Sequence, residues 1–309
     1  MNPYRKIYIR VNTKCNQNCI NCVIKSSYKN NNLVLNPEKL RKSLEKIEFN
    51  QDTDIFKLTG GEPTIHPEFH ELLKVIRGIF KGEVILLTNG FLIGNKNGME
   101  RILKYINSST ISFYSFSESI SYKITGVKGS LIAKIKALKK FSDNNINIYS
   151  KLLITKPSYK KLPEMVEFLI SKNDKVSSVN INVIHLINNA WKNRDYLAIS
   201  YNKATPFVEK AADKFEEYGI MGSLVYPMCL LDPFYWQYIP VGFGEITLKS
   251  LAIEPNGKIY RAAKRLTEFL YKPRKCLSCV LKERCYWPHQ GYIKHYGDEI
   301  LTPISYITE

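Results

Sequence analysis

The chain has 309 residues, which fits either a single barrel-sized domain or one domain with an appendage. Hydrophobic residues make up 44% and aromatic residues 12%, a composition that excludes an intrinsically disordered chain. No apolar run reaches the roughly 18 to 20 residues that span a membrane, and the N-terminus lacks the apolar core of a signal peptide. We therefore expect a soluble cytoplasmic protein.

The formal net charge is +17, which favours acidic partners: an acidic peptide, a nucleotide, a nucleic acid or an anionic lipid. A general compositional bias explains the charge equally well, because the lysines stand among abundant Asn, Ile and Tyr. The sequence contains neither a low-complexity basic tail nor an RGG-like segment. Charge alone therefore does not identify the partner.

Strand-like and helix-like segments alternate through the first 190 residues. Asn36 is a predicted N-cap, and Pro37 suits the first turn of the helix that follows. The strands are predicted at 6–11, 54–63, 83–90, 110–115, 146–155 and 176–186, where 54–63 and 83–90 each run from a strand into a turn. The helices are predicted at 36–47, 67–80, 97–106, 130–141 and 162–171. Beyond them, a helix at 202–219 precedes a loop-rich region with a short β-like run.

Six βα units in succession predict a parallel sheet, because parallel strands need crossover helices. Six units are too few for a closed eight-stranded barrel, so we expect an α/β fold with a partial (β/α)6 barrel. Its active-site loops should lie at the C-terminal ends of the strands. We expect this barrel in residues 1–200 and a small, loop-rich metal-binding extension in residues 201–309.

Three cysteines, Cys15, Cys19 and Cys22, stand in a C-x3-C-x2-C pattern on the loop after the first strand. Thiolates at this spacing can hold three irons of a [4Fe–4S] cluster, which leaves the fourth iron open to another ligand. A zinc site completed by a remote fourth residue is the alternative. In a reducing compartment a metal site is favoured over disulfides.

These cysteines, together with three later motifs in the same order, resemble the radical S-adenosylmethionine (radical SAM) enzymes. "GGEP" ends the second strand, "TNG" ends the third and "SFYSFSE" ends the fourth. The resemblance covers about residues 5 to 190. It implies that the open iron binds SAM and that the reduced cluster cleaves it to methionine and a 5′-deoxyadenosyl radical, which abstracts hydrogen from a substrate. The electron would come from a donor such as flavodoxin or ferredoxin.

The resemblance also implies a set of SAM contacts. Gly60 and Gly61 let the backbone turn sharply and expose carbonyls and amides, Glu62 helps to set the loop, and Pro63 completes the motif. The further candidates are Asn89, Ser115, Lys151 and Asn21. Lys151 would neutralise the methionyl carboxylate, although a solvated or packing role fits it as well. Asn89 would satisfy turn geometry equally well. Asn21 departs from the family, which usually has an aromatic residue there, near the adenine.

A second cysteine group occupies the last third of the chain. Cys276, Cys279 and Cys285 follow a C-x2-C-x5-C pattern, and Cys229 lies upstream. The pattern resembles the twitch/SPASM-type extensions of radical SAM enzymes and implies one auxiliary [4Fe–4S] cluster. Ala262 stands where these extensions usually have a further cysteine, which argues against two auxiliary clusters. A four-cysteine zinc site is the alternative.

Within the resembled family, an auxiliary cluster is commonest in enzymes that modify ribosomally made peptides by cross-linking, oxidation or epimerisation. An acidic precursor peptide is therefore the expected substrate, although no leader-binding domain is expected before the barrel. A radical SAM enzyme acting on a nucleotide, sugar or RNA base is one alternative. A non-catalytic iron–sulfur or zinc protein is the other, and the intact GGEP motif argues against it.

Overall fold

A computed structural model of the chain describes residues 5–240, 249–262 and 270–305. Within them, nine strands form one sheet with the order β7-β6-β5-β4-β3-β2-β1-β8-β9. The strands are β1 (Arg5–Asn12), β2 (Asp54–Gly60), β3 (Glu83–Thr88), β4 (Ser108–Phe113), β5 (Asn147–Ile154), β6 (Val176–Val183), β7 (Met221–Val225), β8 (Leu251–Ile253) and β9 (Ile259–Arg261). All neighbouring pairs are parallel except β8 with β9.

Helices connect the parallel strands, as the alternating pattern predicts. They are α1 (Ser26–Asn30), α2 (Pro37–Leu44), α3 (Phe69–Ile79), α4 (Phe91–Asn95), α5 (Glu100–Leu103), α6 (Glu118–Thr125), α7 (Ser130–Asp143), α8 (Leu162–Lys172), α9 (Asn188–Lys192), α10 (Arg194–Leu197), α11 (Tyr201–Glu217) and α12 (Gln290–Tyr296). The predicted cap of α2 is present, since Asn36 Oδ1 accepts from the Lys39 amide at 2.9 Å. No helix in the described ranges is long and apolar enough to cross a membrane.

The two faces of the sheet differ in burial. Along β1, Ile7 and Ile9 are fully buried, whereas Lys6, Tyr8 and Arg10 on the other face are only partly buried. The same alternation runs along β2 and β5. Because side chains alternate between faces, the buried set forms the core beneath the helices and the mixed set lines the inside of a curved sheet.

The predicted fold class is confirmed: the structure is an α/β protein with a mostly parallel, open sheet. The C-terminal ends of β1 to β6 meet at one edge, where the loops of a partial barrel form its site. The sheet also continues past residue 200. The strand β7 extends it beside β6, and β8 joins β1 at the other side. The division at residue 200 therefore does not separate two sheets, and it stays a prediction.

Candidate functional site

The loop after β1 carries Cys15, Cys19 and Cys22, each of which is partly buried. Tyr114, just past β4, lies against this loop. Burial raises the pKa of its hydroxyl well above the usual range, and the charges of all three cysteines act in the same direction. All three thiols therefore lie near one ring. The Gln17 amide lies 3.4 Å from the Cys15 sulfur, which suits an N–H···S hydrogen bond.

The cysteine loop is attached to the end of α6 by its backbone. The Asn18 amide donates to the Thr125 carbonyl at 3.1 Å, and the Ile20 amide donates to the Ile124 carbonyl at 2.9 Å. The two bonds lie on either side of Cys19. They hold the loop between Cys15 and Cys22 in a defined conformation.

The GGEP motif packs backbone to backbone against the same loop. A Cβ atom on Gly61 would lie 2.0 Å from the Lys14 carbonyl oxygen, and Gly60 has a φ of +153°. The Gly61 amide donates to the Asn12 carbonyl at 3.1 Å, and the Glu62 amide donates to the Lys14 carbonyl at 2.9 Å. The glycines are required by this close approach. The expectation that Gly61 exposes its amide is wrong, because this amide bonds to Asn12 at the end of β1.

Glu62 is the buried centre that joins the GGEP and TNG turns. Its Oε1 accepts from the hydroxyls of Thr64 and Thr88, both at 2.6 Å, and its Oε2 accepts from the Asn89 amide at 2.7 Å. Burial raises the pKa of Glu62, while these hydrogen bonds act in the opposite direction. Pro63 begins a short 3-10 helix that Glu62 caps. Both residues thus shape the loop.

Asn89 reaches from the TNG turn to the cysteine loop. Its Nδ2 donates to Asn16 Oδ1 at 2.8 Å and lies 3.8 Å from the Cys15 sulfur. Its Oδ1 accepts from the Phe91 amide at 2.9 Å, which is the turn geometry the sequence allows. Asn89 therefore combines a structural turn with a donor beside a candidate cluster ligand.

Three polar atoms on the cysteine loop are buried without a hydrogen-bond partner among the described residues: Asn16 Nδ2, Gln17 Nε2 and Asn21 Oδ1. The Asn21 side chain lies beside the Tyr114 hydroxyl and acts to lower the pKa that burial raises. Unpartnered buried polar atoms are costly, so their concentration here fits a site that a polar ligand completes. Three thiols and several amide groups are a suitable donor set for an iron–sulfur cluster with a bound cofactor.

Ser115 and Lys151 lie at neighbouring strands of the same edge. Ser115 is buried just beyond β4, and its Oγ accepts from the Ser117 amide at 3.0 Å. Lys151 lies on the inner face of β5, where burial lowers its pKa. Its charge also lowers the pKa values of His185 and His289, secondary to their burial. Lys151 is thus close to two histidines whose rings stack at 3.7 Å.

The four later cysteines line one pocket, together with Met228, Trp287 and neighbouring residues. Burial raises the pKa of Cys285 to about 12, and the charges of Cys229, Cys279 and Cys276 act in the same direction. The thiols therefore come together from separate segments of the chain. This pocket is separate in sequence from the first cysteine loop.

In the described part of the chain, no three His, Cys, Asp or Glu side chains converge tightly enough to hold a single metal ion.

The family assignment rests on a match between residues 9–169 and the model described as the Radical SAM superfamily. This match spans more than half of the chain. The chain belongs to the radical SAM superfamily. It is accordingly an enzyme, and its cofactors are a [4Fe–4S] cluster and SAM. The predictions of family, enzyme class and these two cofactors are confirmed.

Curated relatives within this superfamily differ in what their names state. A "Probable GTP 3′,8-cyclase" of Thermoplasma volcanium is 27% identical over 179 residues, which cover 55% of this chain and 52% of the relative. The chain thus spans about half the length of that cyclase. A "Tungsten-containing aldehyde ferredoxin oxidoreductase cofactor-modifying protein" of Pyrococcus furiosus is 23% identical over 336 aligned positions, covering 95% of this chain and 92% of the relative.

Solved radical SAM structures share the fold. Streptococcus suis SuiB, crystallised with its precursor peptide SuiA, superposes with a TM-score of 0.68 at 18% identity. The superposition covers 93% of this chain and 72% of SuiB. The similarity therefore extends beyond the barrel into the region of the later cysteines, which is consistent with the predicted twitch/SPASM-like extension.

Sequence reasoning missed two residues beside the first cysteine loop, Tyr114 and Lys134. Lys134 lies on α7 with its ammonium 4.3 Å from the centre of the Tyr114 ring. A signal for Lys134 was present, because it stands between Leu131 and Leu138 on the apolar stripe of its helix. Tyr114 has no comparable signal, since a tyrosine at the end of a buried strand is common.

Proposed function

We propose that Cys15, Cys19 and Cys22 ligate the SAM-binding cluster and that the enzyme modifies a peptide by hydrogen abstraction. The observation that carries the first part is the loop itself, where three thiols lie around Tyr114 among unpartnered amide groups. When bound, the cluster supplies the electron that splits SAM into methionine and a 5′-deoxyadenosyl radical, which takes hydrogen from the substrate.

The residues of the chain position these groups. Glu62 and Pro63 hold the GGEP turn, and Gly60 and Gly61 allow it to lie against the cysteine loop. We propose that this turn, Asn21 and Asn89 contact SAM at the cluster. Ser115 and Lys151 are the proposed contacts for its polar methionyl end, since a hydroxyl and an ammonium complement a carboxylate.

We further propose that Cys229, Cys276, Cys279 and Cys285 hold an auxiliary [4Fe–4S] cluster in a C-terminal extension that begins near residue 201. The four thiols that line one pocket support this assignment. Such a cluster would ligate substrate or accept an electron from a product radical.

Counting iron and sulfide after anaerobic reconstitution tests this assignment. We expect about eight irons per chain, and about four after the double substitution Cys276→Ala and Cys279→Ala. Ser278→Ala is the matched control, because this exposed residue lies between the two cysteines. About four irons with bound zinc in the unaltered protein would overturn the auxiliary cluster and leave the SAM site intact.

The proposed substrate is an acidic peptide. SuiB, which shares the fold, was crystallised with a precursor peptide, and the net charge of +17 suits an acidic partner. The proposed electron donor is a flavodoxin or ferredoxin. The test is the mass of short acidic peptides encoded beside the gene, measured after incubation with SAM and dithionite. A mass change that requires SAM supports the proposal.

The relative named as a GTP cyclase favours a second candidate, a nucleotide substrate. This alternative predicts that added GTP changes the yield or the position of hydrogen abstraction. It also predicts binding that weakens steeply with salt. Transfer of deuterium from labelled GTP into 5′-deoxyadenosine, with no modification of any peptide, would replace the peptide proposal.

A further inference from the structure

Lys134 is a lysine buried inside the protein. Its side chain is 1% exposed, and its Nζ atom lies 4.3 Å from the ring centre of Tyr114 and 5.7 Å from that of Phe113. Neither a hydrogen bond nor an ion pair involves its ammonium among the residues that the structure describes. Burying a charge costs free energy unless an opposite charge compensates it. The ring faces provide part of that compensation.

The anionic groups near Lys134 compensate the rest of its buried positive charge. Burial lowers the pKa of Lys134 to about 8, while the charges of Cys19 and Glu118 act in the opposite direction. The Glu118 carboxylate is already engaged, because it accepts from the Gly129 amide at 2.6 Å and the Leu131 amide at 3.0 Å. The cysteine loop is therefore the remaining anionic neighbour of the ammonium.

The position of Lys134 relative to the cysteine loop is fixed by packing. Its helix α7 packs against α6, whose end carries the backbone bonds to the loop, and Thr125 bonds Ser130 across the two helices at 3.0 Å. The TNG turn closes the other side, since a Cβ on Gly90 would lie 3.7 Å from the Lys134 Cα. The backbone at Lys134 is therefore held between α6 and the TNG turn.

We propose that Lys134 is a positioning residue whose buried positive charge raises the reduction potential of the SAM-binding cluster. The inference rests on the proposed function, namely that Cys15, Cys19 and Cys22 hold that cluster. The reduced cluster carries one more negative charge than the oxidised one, so a nearby cation stabilises the reduced form. Low dielectric surroundings strengthen this effect, and local charge and solvent exposure are known determinants of cluster potential.

The test is a potentiometric titration of the reconstituted full-length enzyme, followed by electron paramagnetic resonance in the absence of SAM. The SAM-binding cluster is recognised as the reduced signal that changes shape when SAM is added to a parallel sample. Lys134→Met removes the charge and keeps most of the side chain, whereas Lys134→Arg keeps the charge. Lys136→Met is the matched control, because it removes a charge from an exposed position of the same helix.

We expect Lys134→Met to shift the SAM-sensitive signal to a more negative midpoint, and Lys134→Arg and Lys136→Met to leave it near the unaltered value. Any signal insensitive to SAM should not move. An unshifted midpoint in Lys134→Met at normal iron content overturns the inference, as does an equal shift in Lys136→Met. If Lys134→Met fails to bind the cluster, the iron content of Lys134→Arg decides the question. Retained iron in Lys134→Arg supports a role for the positive charge, and loss of iron in both variants overturns the inference. Absence of any SAM-sensitive signal in the unaltered protein would instead refute the proposed function.

Discussion

Replacing Gly61 by alanine should damage both stability and cluster binding. The added Cβ would lie 2.0 Å from the Lys14 carbonyl oxygen and 2.7 Å from that of Thr13, both backbone atoms. Ordinary contacts of this kind are longer than 3 Å, so the two backbones must separate by about 1 Å. That movement breaks the bonds of the Gly61 and Glu62 amides to the loop, at 3.1 and 2.9 Å. Two buried amides that lose their partners cost about 2–6 kcal/mol together.

The assay is urea unfolding followed by circular dichroism, with iron content measured on the reconstituted protein. We expect a clearly lower unfolding midpoint and reduced iron at the SAM-binding site in Gly61→Ala. Gly78→Ala is the control: it lies within α3 with open space around its Cβ, so it should stabilise the protein by about 0.5–1 kcal/mol. A Gly61→Ala protein with an unchanged midpoint and full iron would refute the close approach of the two segments.

Three further predictions concern buried polar groups. Thr88→Val removes a 2.6 Å hydrogen bond to Glu62 and leaves the Gly90 amide without its acceptor. The free energy of unfolding, measured by urea titration, should therefore fall by about 1.5–3 kcal/mol. An unchanged value would contradict these bonds. Burial, and then the charges of Lys6 and Lys151, lower the pKa of Lys57 from 10.5 to about 8. Lys57→Met should therefore stabilise the protein below pH 8 by up to about 3 kcal/mol, with the gain vanishing above pH 10.5, and a gain independent of pH would argue against a buried charge. Burial, and then Lys151, lower the pKa of His289 from 6.5 to about 4, so the unfolded chain binds more protons between these values. Stability should fall as pH drops through that window, by on the order of 3 kcal/mol from His289. His289→Gln should show a smaller fall, with the contribution of His185 remaining, and equal pH profiles in thermal melts would refute the prediction.

The barrel strands were predictable because their signals are local. Each strand is a short β-branched or apolar run followed by a turn and a helix, and Asn36 marks a cap by residue type alone. The predicted turns at GGEP and TNG fall where the structure ends the second and third strands, at Gly60 and Thr88.

Pairings between distant segments were not predictable. The strand β8 has three residues, and its partner β1 lies more than 200 residues earlier in the chain. Residues 248–260 have a β-like pattern, but nothing in them identifies that partner. Long-range pairing depends on the tertiary arrangement, which short patterns do not encode.

The motifs of the candidate site were predictable from the sequence, whereas the hydrogen bonds and contacts that connect them were not. The order of cysteines, GGEP and TNG indicates the residue types that the chemistry needs. The structure adds that Glu62 and Asn89 connect these turns to one another and that Tyr114 lies against the cysteines. Such contacts arise where loops from separate strands meet, so they cannot be predicted from any single segment of the sequence.

We propose that the loop of Cys15, Cys19 and Cys22 binds the cluster that cleaves SAM. The most direct measurement is the amount of 5′-deoxyadenosine formed with dithionite by the anaerobically reconstituted enzyme and by Cys22→Ala. We predict formation by the unaltered enzyme and none above background in the variant, with Ser278→Ala retaining full activity. Unchanged 5′-deoxyadenosine formation by Cys22→Ala would contradict the account.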